Sequence, residues 1–271
     1  MRYYFLILLL CSFFIRCFAQ QGKNLVNNDP LVFSTKSMGS ESEEVLPKAN
    51  IIKINLYSLF VNNYYISYER LITKKISFQL GYRYQPYEYL AENFVGKKLS
   101  KLFSIDPRYY NFKTSNNSVT ADVKFYLGRK APQGLYLGLY GRYTAFDVDN
   151  IDYTYILKNE SVYSVPLISN VKGVGVGGVI GIQWLIKKRI SLEYYIIGGH
   201  YGKLSGKLKS EKDLSDLSDE EKSDLKENVE DLFTISNKKY LTSTISDRGI
   251  DGKISGPFFG ARSGICVGIA F

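Results

Sequence analysis

The chain predicts an all-β fold: an eight-stranded antiparallel transmembrane β-barrel with long extracellular loops, one of them partly helical. Three observations carry that reading. The first 19 residues have the build of an export signal, eight later segments of about ten residues alternate apolar and polar side chains, and the connections between segments are short at one end and long at the other. Composition agrees. Of 271 residues, 45% are hydrophobic and 15% aromatic, with 23 tyrosines and 23 glycines against two methionines, one histidine and one tryptophan. Aromatic and glycine enrichment of this kind favours strands over helices.

The opening "MRYYFLILLLCSFFIRCFAQQ" joins a basic start at Arg2 to an apolar run, and small residues precede a cleavage point after Ala19. A membrane anchor is the alternative, but the run is short for a span and Arg16 interrupts it. A lipoprotein would need a small residue before its cysteine, whereas Leu10 precedes Cys11 and Arg16 precedes Cys17. Removing residues 1–19 takes away Arg2 and Arg16 and no acids, so the formal charge falls from +9 to +7. One cysteine, Cys266, remains, and the exported fold is therefore expected to hold without disulfides. Residues 20–49 are polar and rich in Asn, Ser and Glu, which reads as a flexible periplasmic lead.

Residues 50–271 form the expected barrel. Its segments are "IKINLYSLF", "YYISYERL", "ISFQLGYRYQ", "SVTADVKFYLG", "LYLGLYGRYTAF", "GVGVGGVIGIQWLI", "ISLEYYIIGGHYG" and "PFFGARSGICVGIAF". Segments two and three are joined by "ITKK", four and five by "RKAPQ", six and seven by "KKR". The stretches 86–118, 147–172 and 203–256 are long, the last an acidic surface loop; the first hairpin, near 61–63, is tight. Short turns in the periplasm and long loops outside the cell are the habit of outer-membrane barrels.

Alternation alone also fits a secreted soluble barrel, so the contents of the two faces decide. One face is bulky and apolar: Ile52, Ile54, Leu56 and Phe60, Ile76, Phe78, Leu80, Tyr82 and Tyr84, Val119, Val123, Phe125 and Leu127, Val174, Val176, Ile180, Ile182 and Trp184. The other mixes charges with glycines, as a narrow lumen filled by side chains requires. Its charged members are Lys53, Glu69, Arg83, Asp122, Lys124, Arg142, Glu193 and Arg262. Lys53, Glu69, Asp122, Lys124 and Glu193 are expected to form a salt-bridged layer near the periplasmic end. Arg83, Arg142 and Arg262 lie higher, with no inward acid of comparable depth.

The chain ends "GICVGIAF", where Ile265, Val267, Ile269 and Phe271 share one face. An apolar edge must be covered, and in lipid only closed barrels and helices leave no backbone group unpaired, so this last strand should pair with the first. The ending resembles the carboxy-terminal signal, here Phe271, that the bacterial barrel-assembly machinery reads. The plan is similar to the small barrels of outer-membrane proteins A and X. The stretches "KINLYSLFVNNYYISYERLITKKISFQLGYRYQP" and "ADVKFYLGRKAPQGLYLGLYGRY" resemble an uncharacterised family of outer-membrane barrels, over about residues 50–203 and the last strand. That resemblance implies a place in the bacterial outer membrane, among its lipids, and lends no catalytic residues or cofactor; the 203–256 insertion departs from it.

Other chemistries fit less well. "GVGVGG" matches a nucleotide-binding glycine pattern by count, but its glycines recur in twos and run on into "VIGIQW", lining a strand face. The basic residues are spread over periplasmic turns and lumen rather than gathered in a stripe, which argues against nucleic acid. His200 stands at the surface end of strand seven, and by parity it faces lipid. With Ser205 nearby it raises the alternative of a rim-located lipid-modifying enzyme, but nothing marks that serine as activated. One histidine and one cysteine cannot make a metal cluster. Residues 210–233 carry ten acids, a leucine stripe of Leu214, Leu217, Leu225, Val229 and Leu232, and a capping-box pattern at Ser218. A helix shielding the mouth is expected there, and divalent cations or a basic surface partner are its candidate ligands. The leading function is a non-enzymatic barrel serving envelope integrity or surface interaction, with a narrow anion-selective channel as the alternative.

Overall fold

A computed structural model of the chain describes residues 49–59, 62–89, 112–128, 131–156, 162–235 and 237–271. Expectations for Phe60, for the signal segment and for most of the lead lie outside these residues. Eight antiparallel strands make the ring: β1 (Asn50–Asn55), β2 (Tyr64–Leu71), β3 (Ile76–Tyr89), β4 (Lys113–Tyr126), β5 (Gly134–Ile156), β6 (Val162–Ile186), β7 (Ile190–Ser210) and, closing it, β11 (Gly249–Ala270). The seam sets Lys53 opposite Gly268 and Asn55 opposite Cys266. Phe271 extends it, donating its N–H to the Asn50 carbonyl at 2.9 Å.

The outward face matches the apolar list read from sequence: Ile52, Ile54, Phe78, Leu80, Tyr82, Tyr84, Val119, Phe125, Val174, Val176 and Trp184 are all exposed. A surface of that kind is stable only against hydrocarbon. The barrel therefore spans a membrane. The end bearing the turns at 72–75, 131–133 and 187–189 is the lower end, and the opposite end the upper.

β1 is short because Asn55 stops it. Its Oδ1 accepts the Ser58 N–H at 3.0 Å and its carbonyl accepts the Ser58 hydroxyl at 2.9 Å, turning the chain into the single helical turn α1 (Leu56–Leu59). Above that level β11 would lose its partner on one side. There β10 (Leu241–Ser246) pairs with it, Leu241 opposite Ile254 and Ser246 opposite Gly249.

The upper strands run well beyond the expected limits. The stretch 147–172 is mostly a continued β5–β6 ladder reaching Ile156 opposite Val162, and 203–256 continues β7 and β11 to Ser210 opposite Ile250. Between those strands lie the helix α2 (Asp219–Asp231) and a short ladder of β8 (Thr234–Ile235) with β9 (Lys238–Lys239). The predicted capping box forms: Ser218 Oγ accepts the Glu221 N–H, and Glu221 Oε2 accepts the Ser218 N–H at 2.9 Å. Leu214, Leu217, Leu225 and Val229 then bury against the inward face of the extended sheet, on Val165, Leu167, Leu208, Ile250 and Ile254. The helix thus lies over the upper mouth with its acids turned away from that core.

A β-bulge corrects one assignment. On β7, Ile197 pairs with Ile180 but Tyr195 pairs with Gly181, so Ile196 is an extra residue in the ladder. Ile196 and Ile197 both face outward, and every residue above them is inverted relative to simple counting. His200, expected to face lipid, therefore points into the lumen and is buried.

Candidate functional site

The lumen is the site, and it is layered. At the bottom Ile51, Leu185 and Ala270 form a small apolar floor. Directly above, Lys53 from β1, Glu69 from β2, Lys124 from β4 and Glu193 from β7 converge, all four with fully buried side chains. Lys53 Nζ contacts both Glu69 and Glu193 and donates to Gln183 Oε1 at 3.3 Å. Lys124 Nζ contacts Glu193, lies 3.4 Å from Glu69 Oε2 and donates to Gln79 Oε1 at 2.7 Å. Each ammonium has three acceptors, matching its three protons.

The carboxylates are satisfied in turn. Tyr126 Oη donates to Glu69 Oε1 at 2.7 Å and Tyr136 Oη to Glu193 Oε1 at 2.6 Å, with Ser77 Oγ also on Glu69. Two positive and two negative groups leave the layer neutral. A buried network is tolerable only when its charges are paired and its remaining polar atoms hydrogen-bonded, and this one meets both conditions.

Asp122 is not part of that layer, contrary to the expectation above. It receives both Nη groups of Arg262 from across the barrel, Nη2 at 3.3 Å from Oδ2. Arg262 therefore has the acid of comparable depth that sequence reading denied it, and its guanidinium stacks 4.3 Å from the Tyr195 ring centroid and 4.9 Å from that of Tyr140. Arg83 and Arg142 have no acidic partner among the described residues. Arg142 Nε donates to Thr120 Oγ1 at 3.2 Å and its guanidinium lies over Tyr140; Arg83 lies over Tyr65, its Nε without a hydrogen-bond partner.

His200 closes this region. Its Nδ1 is 3.2 Å from Tyr140 Oη, and its ring packs 4.6 Å from that of Phe258, while Nε2 has no partner among the described residues. Ser205 lies on the exposed outer face of the same strand. Serine and histidine, paired in the enzyme alternative, are thus not brought together. The acids of α2 are engaged locally: Glu230 Oε1 accepts the Ser243 N–H at 2.9 Å and Asp231 pairs with Lys239 at 2.9 Å. Among the described residues no group of three or more His, Cys, Asp or Glu side chains is placed to hold a metal.

Five lumen tyrosines escaped the sequence reading: Tyr65, Tyr126, Tyr136, Tyr140 and Tyr195. Parity marks each, since they stand two or four residues from Glu69, Lys124, Gly138 or Glu193 on the same face. The glycines are the complement of these rings. A Cβ at Gly81 would run into Tyr65, and one at Gly181 into Tyr136, so those positions must stay bare for the Tyr65 hydroxyl to meet Gln79 and the Tyr136 hydroxyl to meet Glu193.

A family model described as "Protein of unknown function (DUF3575)" matches residues 31–226. Among solved structures the chain is similar to the N-terminal β-barrel domain of Pseudomonas aeruginosa OprF, at 11% identity and a TM-score of 0.30, over 83% of this chain and 98% of that one. It is similar also to Acinetobacter baumannii CarO2, at 11% identity and a TM-score of 0.39, over 84% of this chain and 100% of that one. No curated protein matches the sequence.

Proposed function

This chain belongs to the family described as "Protein of unknown function (DUF3575)", and we propose that it acts in the bacterial outer membrane as a non-enzymatic barrel whose lumen is closed, serving envelope integrity or surface interaction. The observation that supports closure is the neutral layer of Lys53, Glu69, Lys124 and Glu193, contributed by four strands and fully buried. An eight-stranded lumen is filled by its own side chains. Water would have to displace contacts that satisfy every ammonium proton. Export through the signal segment and recognition of Phe271 by the barrel-assembly machinery belong to the same proposal, as do surrounding lipids and a surface partner at the upper end.

A second reading, a narrow and weakly anion-selective channel, is favoured by Arg83 and Arg142, which have no acidic partner among the described residues and so add positive charge to the lumen above the layer. One experiment separates the two. Purified protein in a planar bilayer is expected to show no large steady conductance, with rare openings whose reversal potential under a salt gradient is displaced towards chloride. A stable, large, cation-selective pore would refute both readings.

A further inference from the structure

The outer face of the upper strands carries a charge pattern that the lumen does not explain. β6, β7 and β11 are neighbours, and their registers set Lys172 beside Ser205, Asn170 beside Lys207 and Val174 beside Lys203. Across β7, Lys207 stands beside Lys253, Ser205 beside Ser255 and Lys203 beside Pro257. Neighbouring strands lie about 4.8 Å apart and alternate residues share a face. Lys172, Lys203, Lys207 and Lys253 therefore form one cluster around the hydroxyls of Ser205 and Ser255, and all six residues are exposed. Lys209, one alternate position higher, has Asp251 at 4.0 Å. The other four have no ion-pair partner among the described residues, and Asp147 at the β5 border is held by Asn170 Nδ2 at 2.6 Å.

What lies beneath the cluster identifies its ligand. On the same face Val174 is 59% exposed, Val176 72% and Tyr201 68%, and these belong to the lipid-facing band. On β6 that band runs outward-facing from Ile186 to Val174, and on β7 from Ile190 to Tyr201. At about 3.3 Å per residue and a tilt of about 45°, either run climbs roughly 25 Å, the height of the apolar band of such barrels. Lys172 and Lys203 are the next outward residues above it. Their ammonium groups stand at headgroup level, where an acyl chain lying on Val174, Val176 and Tyr201 would carry its headgroup.

We infer that Lys172, Lys203, Lys207 and Lys253, with Ser205 and Ser255, bind the phosphate groups of phosphorylated glycolipid headgroups in the outer leaflet. The inference rests on the reading of the chain as an outer-membrane barrel. Ammonium groups act on phosphate as mobile point charges, and the serine hydroxyls add short neutral donors between them.

The test uses the folded full-length mature protein in neutral detergent, titrated with lipid A bearing both phosphates or with the same lipid dephosphorylated, bound lipid being read by native mass spectrometry. The phosphorylated lipid is expected to bind at least about tenfold more tightly, with an advantage that shrinks as salt rises. The triple variant Lys203→Gln/Lys207→Gln/Lys253→Gln should lose that preference, while Lys74→Gln/Lys75→Gln/Lys188→Gln, which removes equal charge from the lower turns, should stay within about twofold of the parent. All six substituted side chains are exposed, and heat-modifiable gel mobility confirms that each variant is folded. Equal binding of the two lipids, parental binding by the upper triple variant, or competition by inorganic phosphate at lipid-like concentrations would each overturn the inference. Binding in detergent does not depend on cellular location, so failure here is distinct from failure of the outer-membrane reading, which membrane fractionation decides.

Discussion

Glu193→Gln perturbs the lumen at a carboxylate shared by both buried lysines. Glu193 contacts Lys53 and Lys124 together and accepts from Tyr136 Oη at 2.6 Å. The amide keeps an oxygen for Tyr136, but the charge is lost together with the Oε2 acceptor of Lys53, and the fully buried layer is left with two ammonium groups facing Glu69 alone. Removing one partner of a buried ion pair costs about 3–5 kcal/mol. Both lysines lose a partner here, but Glu69 remains in contact with Lys53 and 3.4 Å from Lys124, which holds the expected loss near the lower bound, about 3 kcal/mol. Lys53→Met should cost a similar amount by the opposite imbalance. The double variant restores neutrality and should recover at least about 2 kcal/mol of the summed losses. Equilibrium urea unfolding in lipid vesicles measures all three, read by gel mobility and by the fluorescence of Trp184, the chain's single tryptophan, which faces outward. A single-variant cost below about 1 kcal/mol, or two costs that simply add, would mean that water already reaches the layer and would refute the argument.

Two further outcomes follow from the same geometry. Asp122→Asn leaves Arg262 without its acid beside Arg83 and Arg142, so residual leak in a planar bilayer should shift further towards chloride; an unchanged reversal potential would remove the arginines from any role in permeation. Trypsin added to intact cells should cut at the exposed Lys238 and Lys239 of the upper end and spare Lys187 and Lys188 of the lower turn until lysis, and the reverse pattern would invert the topology.

Which face each residue takes was legible in the sequence wherever the ladder is regular. Lys53, Glu69, Lys124 and Glu193 were placed inward by counting in twos, and they meet in the lumen. Height was not legible. Strands in a barrel are staggered by shear, so two inward residues far apart in sequence can share a level or miss it, and Asp122 of β4 and Arg262 of β11 share one. The bulge at Ile196 left no mark either, because two consecutive isoleucines in "YYIIGG" are compatible with either face. That one extra residue turned His200 inward. In the sequence the upper strands look like loops because their outward residues above the membrane are Asn, Asp, Ser and Lys; alternation persists there, but against water instead of lipid. The tyrosines were hidden by their own ambiguity, since a ring with a hydroxyl suits an interfacial girdle as well as a lumen.

Why the lower lumen holds charges where an apolar plug of equal volume would fit is answered by register more than by stability. Well-packed apolar residues in place of a buried ion network are often neutral or stabilising. They would also make the strands apolar on both faces, and a strand of that kind does not distinguish lumen from lipid. Pairing shifted by one residue exchanges the two faces of a strand. In this barrel such a slip of β1, β2, β4 or β7 would carry Lys53, Glu69, Lys124 or Glu193 into hydrocarbon. For a lysine that costs about 2–4 kcal/mol at the midplane and less towards the interfaces, and the partners left inside would add an unpaired buried charge. Each of the four strands thus carries its own penalty for mispairing, and the neutral layer forms only when all four are in place. On this argument the double variant, Lys53→Met with Glu193→Gln, should unfold at a higher urea concentration than the summed single losses allow yet assemble with more misregistered, protease-sensitive product than the parent, and equal assembly yields for the double variant and the parent would refute the register role.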